Sequence, residues 1–169
     1  ASSKKLLYNF SLAKNYSNQL EELSKRSVGM SHASYNFNKG QYALAIDAAT
    51  PVAAYRPDLL DNIPSNIDDV ILLAEKNKVL WPLNPVFCIT YFNSIAANWG
   101  MPINAPEKHF IDKQIGIEIL ILMKKLTKLL PQECLKMDPI QTLDFMSENN
   151  DKIYSPMLYG YVNYSREGF

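Results

Sequence analysis

From residue 65 onward, apolar side chains recur at intervals of three and four, the spacing that gathers them on one face of a helix. Ile67, Val70, Ile71 and Ala74 make the first such stripe, and Ser65-Asn66-Ile67-Asp68 in front of it is a helix start. There the serine oxygen is placed to accept from an orphan N–H, while Asp68 and Asp69 suit the positive helix end. A second helix is expected from Pro85 to Trp99, apolar nearly all round through Phe87, Ile89, Tyr91, Phe92, Ile95 and Ala96. Gly100 with Pro102 closes it. Ile111 to Leu130 carries the clearest stripe, with Ile115, Ile119, Leu122, Met123, Leu126 and Leu130 on one face. Asp112 can cap that helix, Lys124, Lys125 and Lys128 favour its negative end, and Pro131 stops it. A further helix fits Asp138-Pro139 to Met146, with proline in the first turn. Near the start, Leu20 and Leu23 mark a short one over Asn18 to Lys25.

Other stretches read as extended. Tyr42 to Ile46 and Pro51 to Tyr55 are apolar and rich in small residues, separated by the polar island Asp47 to Thr50. Arg56-Pro57 then turns the chain, because the residue before proline disfavours helix. Short strands are expected at Val79 to Leu83 and Ile153 to Leu158, the second running into a tyrosine-rich tail. Val28 to Lys39, broken by glycine, serine and asparagine, reads as an exposed loop. Strands mixed with helices imply an α/β layered domain.

Composition narrows the function classes. The chain has 169 residues, 47% of them hydrophobic, enough for one globular domain with a core. Seventeen basic residues balance seventeen acidic ones, so no general field draws it to nucleic acid or an anionic membrane. The longest aliphatic runs, such as Ile119 to Met123, are too short to span a bilayer. Cys88 and Cys134 lack CxxC spacing and fit either a disulfide in an oxidising compartment or two buried thiols.

No catalytic constellation stands out. His32 and His109 have no ligand-spaced partner, and no GxSxG, P-loop or dinucleotide fingerprint occurs. Nothing in the residues asks for a metal or a cofactor, and the reading is of a protein that is not an enzyme. Binding chemistry remains. Asp47 follows an apolar segment and precedes small residues, a setting in which a carboxylate can accept ligand hydroxyls or stabilise a turn. Tyr154, Tyr159, Tyr161 and Tyr164, with Asn163 among them and Gly160 loosening the backbone, offer flat apolar faces and polar edges. Sugars match such a surface, their C–H patches on the rings and their hydroxyls at the edges. If the segment is extended, Tyr159 and Tyr161 share a face. The same residues also fit a tyrosine-bearing edge strand packed on its own domain.

The segment Tyr42-Ala-Leu-Ala-Ile-Asp47-Ala-Ala-Thr-Pro-Val-Ala-Ala-Tyr-Arg-Pro-Asp-Leu-Leu60 resembles the strand and turn by which sugar-type extracellular solute-binding proteins of ABC transporters cross into their second lobe. Ser65 to Glu75 is similar to the helix that follows there, without its usual tryptophan. Ile111 to Leu130 resembles a later helix, and Asp151 to Tyr161 the return strand. The resemblance runs in order from Gly29 to Phe169. It implies one α/β lobe of a type II periplasmic-binding-protein clamp, a mixed sheet flanked by helices, and the expectation is that residues 1–169 are that second lobe alone. It further implies capture of a small polar ligand, expected to be a sugar, in a cleft shared with the other lobe. The receptor would lie outside the cell, in the periplasm or on the cell surface, and would deliver to a membrane permease. Asp47, Tyr159, Tyr161, Asn163 and Tyr164 are the ligand-binding candidates. Two alternatives keep the fold: a ferric-iron receptor using the tyrosine cluster, and a ligand-sensing regulatory lobe.

Overall fold

The computed structural model describes residues 6–103 and 109–166. The chain is a mixed α/β protein and divides into two compact units, Ala1–Ala49 and Thr50–Phe169.

Polar groups organise the first unit. Two short 3-10 turns, Phe10–Leu12 and Lys14–Tyr16, lead into helix α1, Ser17–Arg26, which buries no residue. A minimal hairpin follows, β1 (Asn36–Phe37) against β2 (Gly40–Gln41). Its loop residues Asn38 and Lys39 both have positive φ, 48° and 61°, the geometry of the two-residue turn whose twist matches a hairpin. Gln41 is buried and ties the unit together. Its N–H donates to Ser11 Oγ at 3.0 Å, and its Nε2 donates to His32 O and Ala43 O at 2.9 and 2.8 Å. Gly40 beside it lies against the side chain of Asn9: a Cβ there would stand 2.5 Å from Asn9 Nδ2, so the amide would have to move aside. The strand expected over Tyr42 to Ile46 does not form. Gln41 turns its side chain to bond Ala43 O, and Ile46 projects fully into solvent.

The second unit holds the hydrophobic core. Helices α2 (Ile67–Glu75), α3 (Pro85–Asn98) and α4 (Lys113–Thr127) bury Val70, Ala74, Tyr91, Ile95, Ile119 and Leu126 against Val79 and Trp81. Trp81 lies with its ring 5.4 Å from that of Tyr91. Helix α5 (Pro139–Glu148) completes the set. The caps follow the sequence closely, with one shift. Asn66, not Ser65, caps α2, its Oδ1 accepting from the N–H groups of Asp68 and Asp69. Ser65 instead donates from its N–H and hydroxyl to Asp69 Oδ2, holding that carboxyl below its ordinary range. Asp112 Oδ1 accepts from Gln114 and Ile115 as expected. Helix α4 stops short of Leu130, because Leu129 and Leu130 donate to carbonyls only three residues back, tightening the end into a turn.

Strand β3 (Pro51–Tyr55) pairs antiparallel with β4 (Tyr154–Tyr159), Pro51 opposite Tyr159 and Tyr55 opposite Tyr154, with a register shift between Val52 and Ala54. Among the described residues the sheets are therefore two small antiparallel pairs, in place of the mixed sheet expected. Parallel pairing among the described residues is confined to a bridge between Val79 and Tyr154. The expected strand from Val79 to Leu83 is buried and extended but changes partners along its length. Leu80 donates to Tyr154 O, Leu83 donates to Cys134 O, and Pro82 between them has no N–H to continue a ladder. Among the described residues, no helix is long and apolar enough to cross a membrane.

Candidate functional site

Within the second unit, a recess of about 270 Å³ opens beside β3. One wall is the strand itself, Val52 to Arg56; a second is the face of α5 that presents Leu143, Met146 and Ser147. The third is the segment after β4, with Gly160, Tyr161, Tyr164 and Ser165. β4 ends at Tyr159 and the chain turns through a 3-10 segment, Val162–Ser165, where Tyr164 N–H donates to Tyr161 O at 3.0 Å. Gly160 permits that turn to run close to β3: a Cβ there would stand 3.2 Å from Val52 Cγ2.

This geometry separates the tyrosines. Tyr161 lines the recess and is 43% exposed, so its ring is available to a ligand. Tyr164 lines it too, its hydroxyl donating to Asp144 Oδ1 on α5. That bond favours the neutral phenol and pushes its pKa up to about 12. Tyr159 does not share a face with Tyr161, as the extended reading supposed, because the strand ends between them. Its ring packs edge-on to Phe87 of α3, with centroids 6.0 Å apart. Tyr154 is core, buried with Val79. Asn163 is exposed on the 3-10 segment, outside the recess wall. Asp47 belongs to the first unit, where it is exposed and its Oδ1 accepts from Ala48 N–H at 2.7 Å. There it borders a separate shallow recess with Arg26, Ser27 and Ser31.

The clasp behind the recess was not among the sequence candidates. Arg56, with its side chain 24% exposed, makes a two-pronged ion pair with Asp58, Nε to Oδ1 at 2.8 Å and Nη2 to Oδ2 at 2.7 Å. Its Nη1 donates to Met146 O at 2.8 Å and to Asn149 O at 3.4 Å. The guanidinium thus binds the carboxyl end of α5, whose carbonyls lack helical partners. The hydrogen bonds from Arg56 hold the Asp58 carboxyl below its ordinary range. The signal available in the sequence was the Arg-Pro-Asp turn, two opposite charges around a proline that fixes their spacing.

Two free thiols complete the inventory, Cys134 buried and Cys88 partly so. Cys88 and Cys134 are both free, and burial pushes both thiols up in pKa, the opposite of nucleophile activation. Lys152 is buried beside Cys134, its Nζ donating to Asn77 O at 2.8 Å and to Asn77 Oδ1. Among the described residues no group of three or more His, Cys, Asp or Glu is placed to hold a metal ion. No family model, no curated protein and no solved structure matches this chain.

Proposed function

We propose that the chain supplies one lobe of a non-enzymatic solute receptor of the type II periplasmic-binding-protein kind. In this reading the receptor captures a small polar ligand, a sugar, outside the cell, in the periplasm or on the cell surface. A membrane permease of an ABC transporter takes the ligand onward.

The observation that carries the reading is the pairing of Pro51–Tyr55 with Tyr154–Tyr159. These are the segments that resemble the outgoing and returning crossings of a lobe. Two adjacent antiparallel crossings can act as a hinge, because bending both at one level moves a lobe as a rigid body. The recess lies along the same strands, and its lining mixes a tyrosine face, two serine hydroxyls and apolar side chains. That is the mixture a sugar ring and its hydroxyls ask for.

The ferric-iron alternative fares less well on one specific point. Iron needs phenolate, and the proton of Tyr164 is held by Asp144. A single lobe offers half a cleft, so its own affinity is weak and the readout must detect weak binding.

Saturation-transfer NMR of the chain with neutral mono- and disaccharides tests the site. Tyr161→Ala is expected to weaken the responding saccharide by about tenfold, the size of one stacking contact. The far-ultraviolet circular dichroism should be unchanged. Equal binding by the folded variant would remove Tyr161 from the site, and silence with every saccharide would remove the sugar reading.

A further inference from the structure

We propose that Asp58 sets the charge selectivity of the recess: by holding Arg56 it turns anions away and leaves the site to an uncharged, hydroxyl-bearing ligand. The inference rests on reading the recess as a ligand site and adds a specificity residue that does not itself line it.

Arg56 is the charged side chain in the recess wall. An arginine in a half-dry wall is ordinarily an anion receptor, because its planar fork matches carboxylate and phosphate oxygens. Here each of its nitrogens is already engaged. Nε and Nη2 face the two oxygens of Asp58 at 2.8 and 2.7 Å, and Nη2 also donates to Asn150 Oδ1 at 3.4 Å. Nη1 donates to Met146 O and Asn149 O. A guanidinium has five N–H groups, and five bonds are made.

The partners matter as much as the count. Asp58 cancels the cation's charge at contact distance, and the carboxyl end of α5 adds its own negative potential from unpaired carbonyls. A phosphate entering the recess would meet a neutralised arginine backed by a carboxylate. A neutral polyol meets no such penalty. It finds Ser147, whose hydroxyl donates to Asp144 O at 2.8 Å and keeps lone pairs to accept with, beside the ring of Tyr161.

The test uses inorganic phosphate as the probe and needs no natural ligand, so its failure is distinct from failure of the sugar reading. Backbone amide NMR of the whole chain is followed during a phosphate titration, for the unmodified protein and for Asp58→Asn. Asparagine keeps the shape and one acceptor but removes the charge and releases part of the fork. The unmodified protein is expected to show no phosphate-dependent shifts at residues 52–56 and 160–165. Asp58→Asn is expected to bind phosphate about tenfold or more tightly, the effect of removing one adjacent unit charge. That binding should weaken with added salt. The double variant Asp58→Asn with Arg56→Gln should lose the response, and unshifted amides in α2 and α4, away from the recess, confirm that each variant is folded. A phosphate response in the unmodified protein equal to that of Asp58→Asn overturns the proposal. So does silence in Asp58→Asn, or a response that survives loss of Arg56.

Discussion

Tyr164 joins the tail after β4 to α5 through one proton, which its hydroxyl donates to Asp144. The bond exists only while the phenol is protonated, so its effect on stability has a definite pH window. The folded-state pKa, about 12, lies above the ordinary phenol value of 10.0. The contribution is therefore fully present below pH 10 and is lost as pH rises through the folded value. Tyr164→Phe should flatten the stability profile in that alkaline range and leave it unchanged near neutrality apart from a constant offset. Ultraviolet difference titration of the two proteins checks it: the missing phenol should be one that titrates clearly above the ordinary value of 10.0. A missing phenol that titrates near 10 would show that the bond to Asp144 does not persist in solution. Asp58 works in the opposite direction. Its folded pKa is lowered, so its pairing with Arg56 supports the fold above the ordinary carboxylate value and fails as pH falls through the lowered one.

Helix α5 shows how one element joins sequence signals to the site. It begins with a reciprocal capping box: Gln141 N–H donates to Asp138 Oδ1 at 2.8 Å, and Asp138 N–H donates to Gln141 Oε1 at 3.0 Å. Pro139 takes the position where a missing N–H costs nothing. Its far end is held by Arg56, and its inner face forms a wall of the recess. Asp138→Ala is expected to cost about 1 kcal/mol, lowering the melting temperature of a domain this size by about 2–4 °C. Thermal denaturation followed by circular dichroism measures it, and an unchanged midpoint would contradict the capping role.

The same element marks the boundary of what local pattern reveals. Helices α2 to α5 were legible because period and caps are written within a dozen residues, and their ends moved by only a residue or a few. The segment from Val79 to Leu83 read as a strand because burial and extension look alike in composition, whereas a ladder needs a partner that Pro82 refuses. The site divides in the same way. Tyr161 and Tyr164 were visible as a local cluster, but Tyr159 left it because the strand ends one residue before the turn. Arg56, Leu143 and Met146 went unrecognised as its walls, since Arg56 and Met146 meet across ninety positions of chain. No periodicity encodes that.

At the scale of the molecule, the two units are built on different principles. The first is knotted by the side chain of Gln41, with His32, Gly40 and Gln41 as its buried residues among those described. The second excludes water from a core of aromatic and aliphatic side chains around Trp81, Tyr91 and Ile119. In that second unit the recess arginine is paired with Asp58, and burial raises the pKa of both free thiols, Cys88 and Cys134. The proposed ligand of this recess is an uncharged sugar. Ligand that binds only the native state stabilises it by mass action, by about 1.4 kcal/mol at tenfold excess over the dissociation constant, which raises the melting temperature by about 3–6 °C. The decisive measurement is a thermal-shift panel of neutral saccharides, sugar phosphates, polyamines and ferric iron on the unmodified chain and on Tyr161→Ala. A rise is expected with at least one neutral saccharide and should shrink by more than half in Tyr161→Ala; a rise only with ferric iron, a polyamine or a sugar phosphate, or none at all, would overturn the sugar reading.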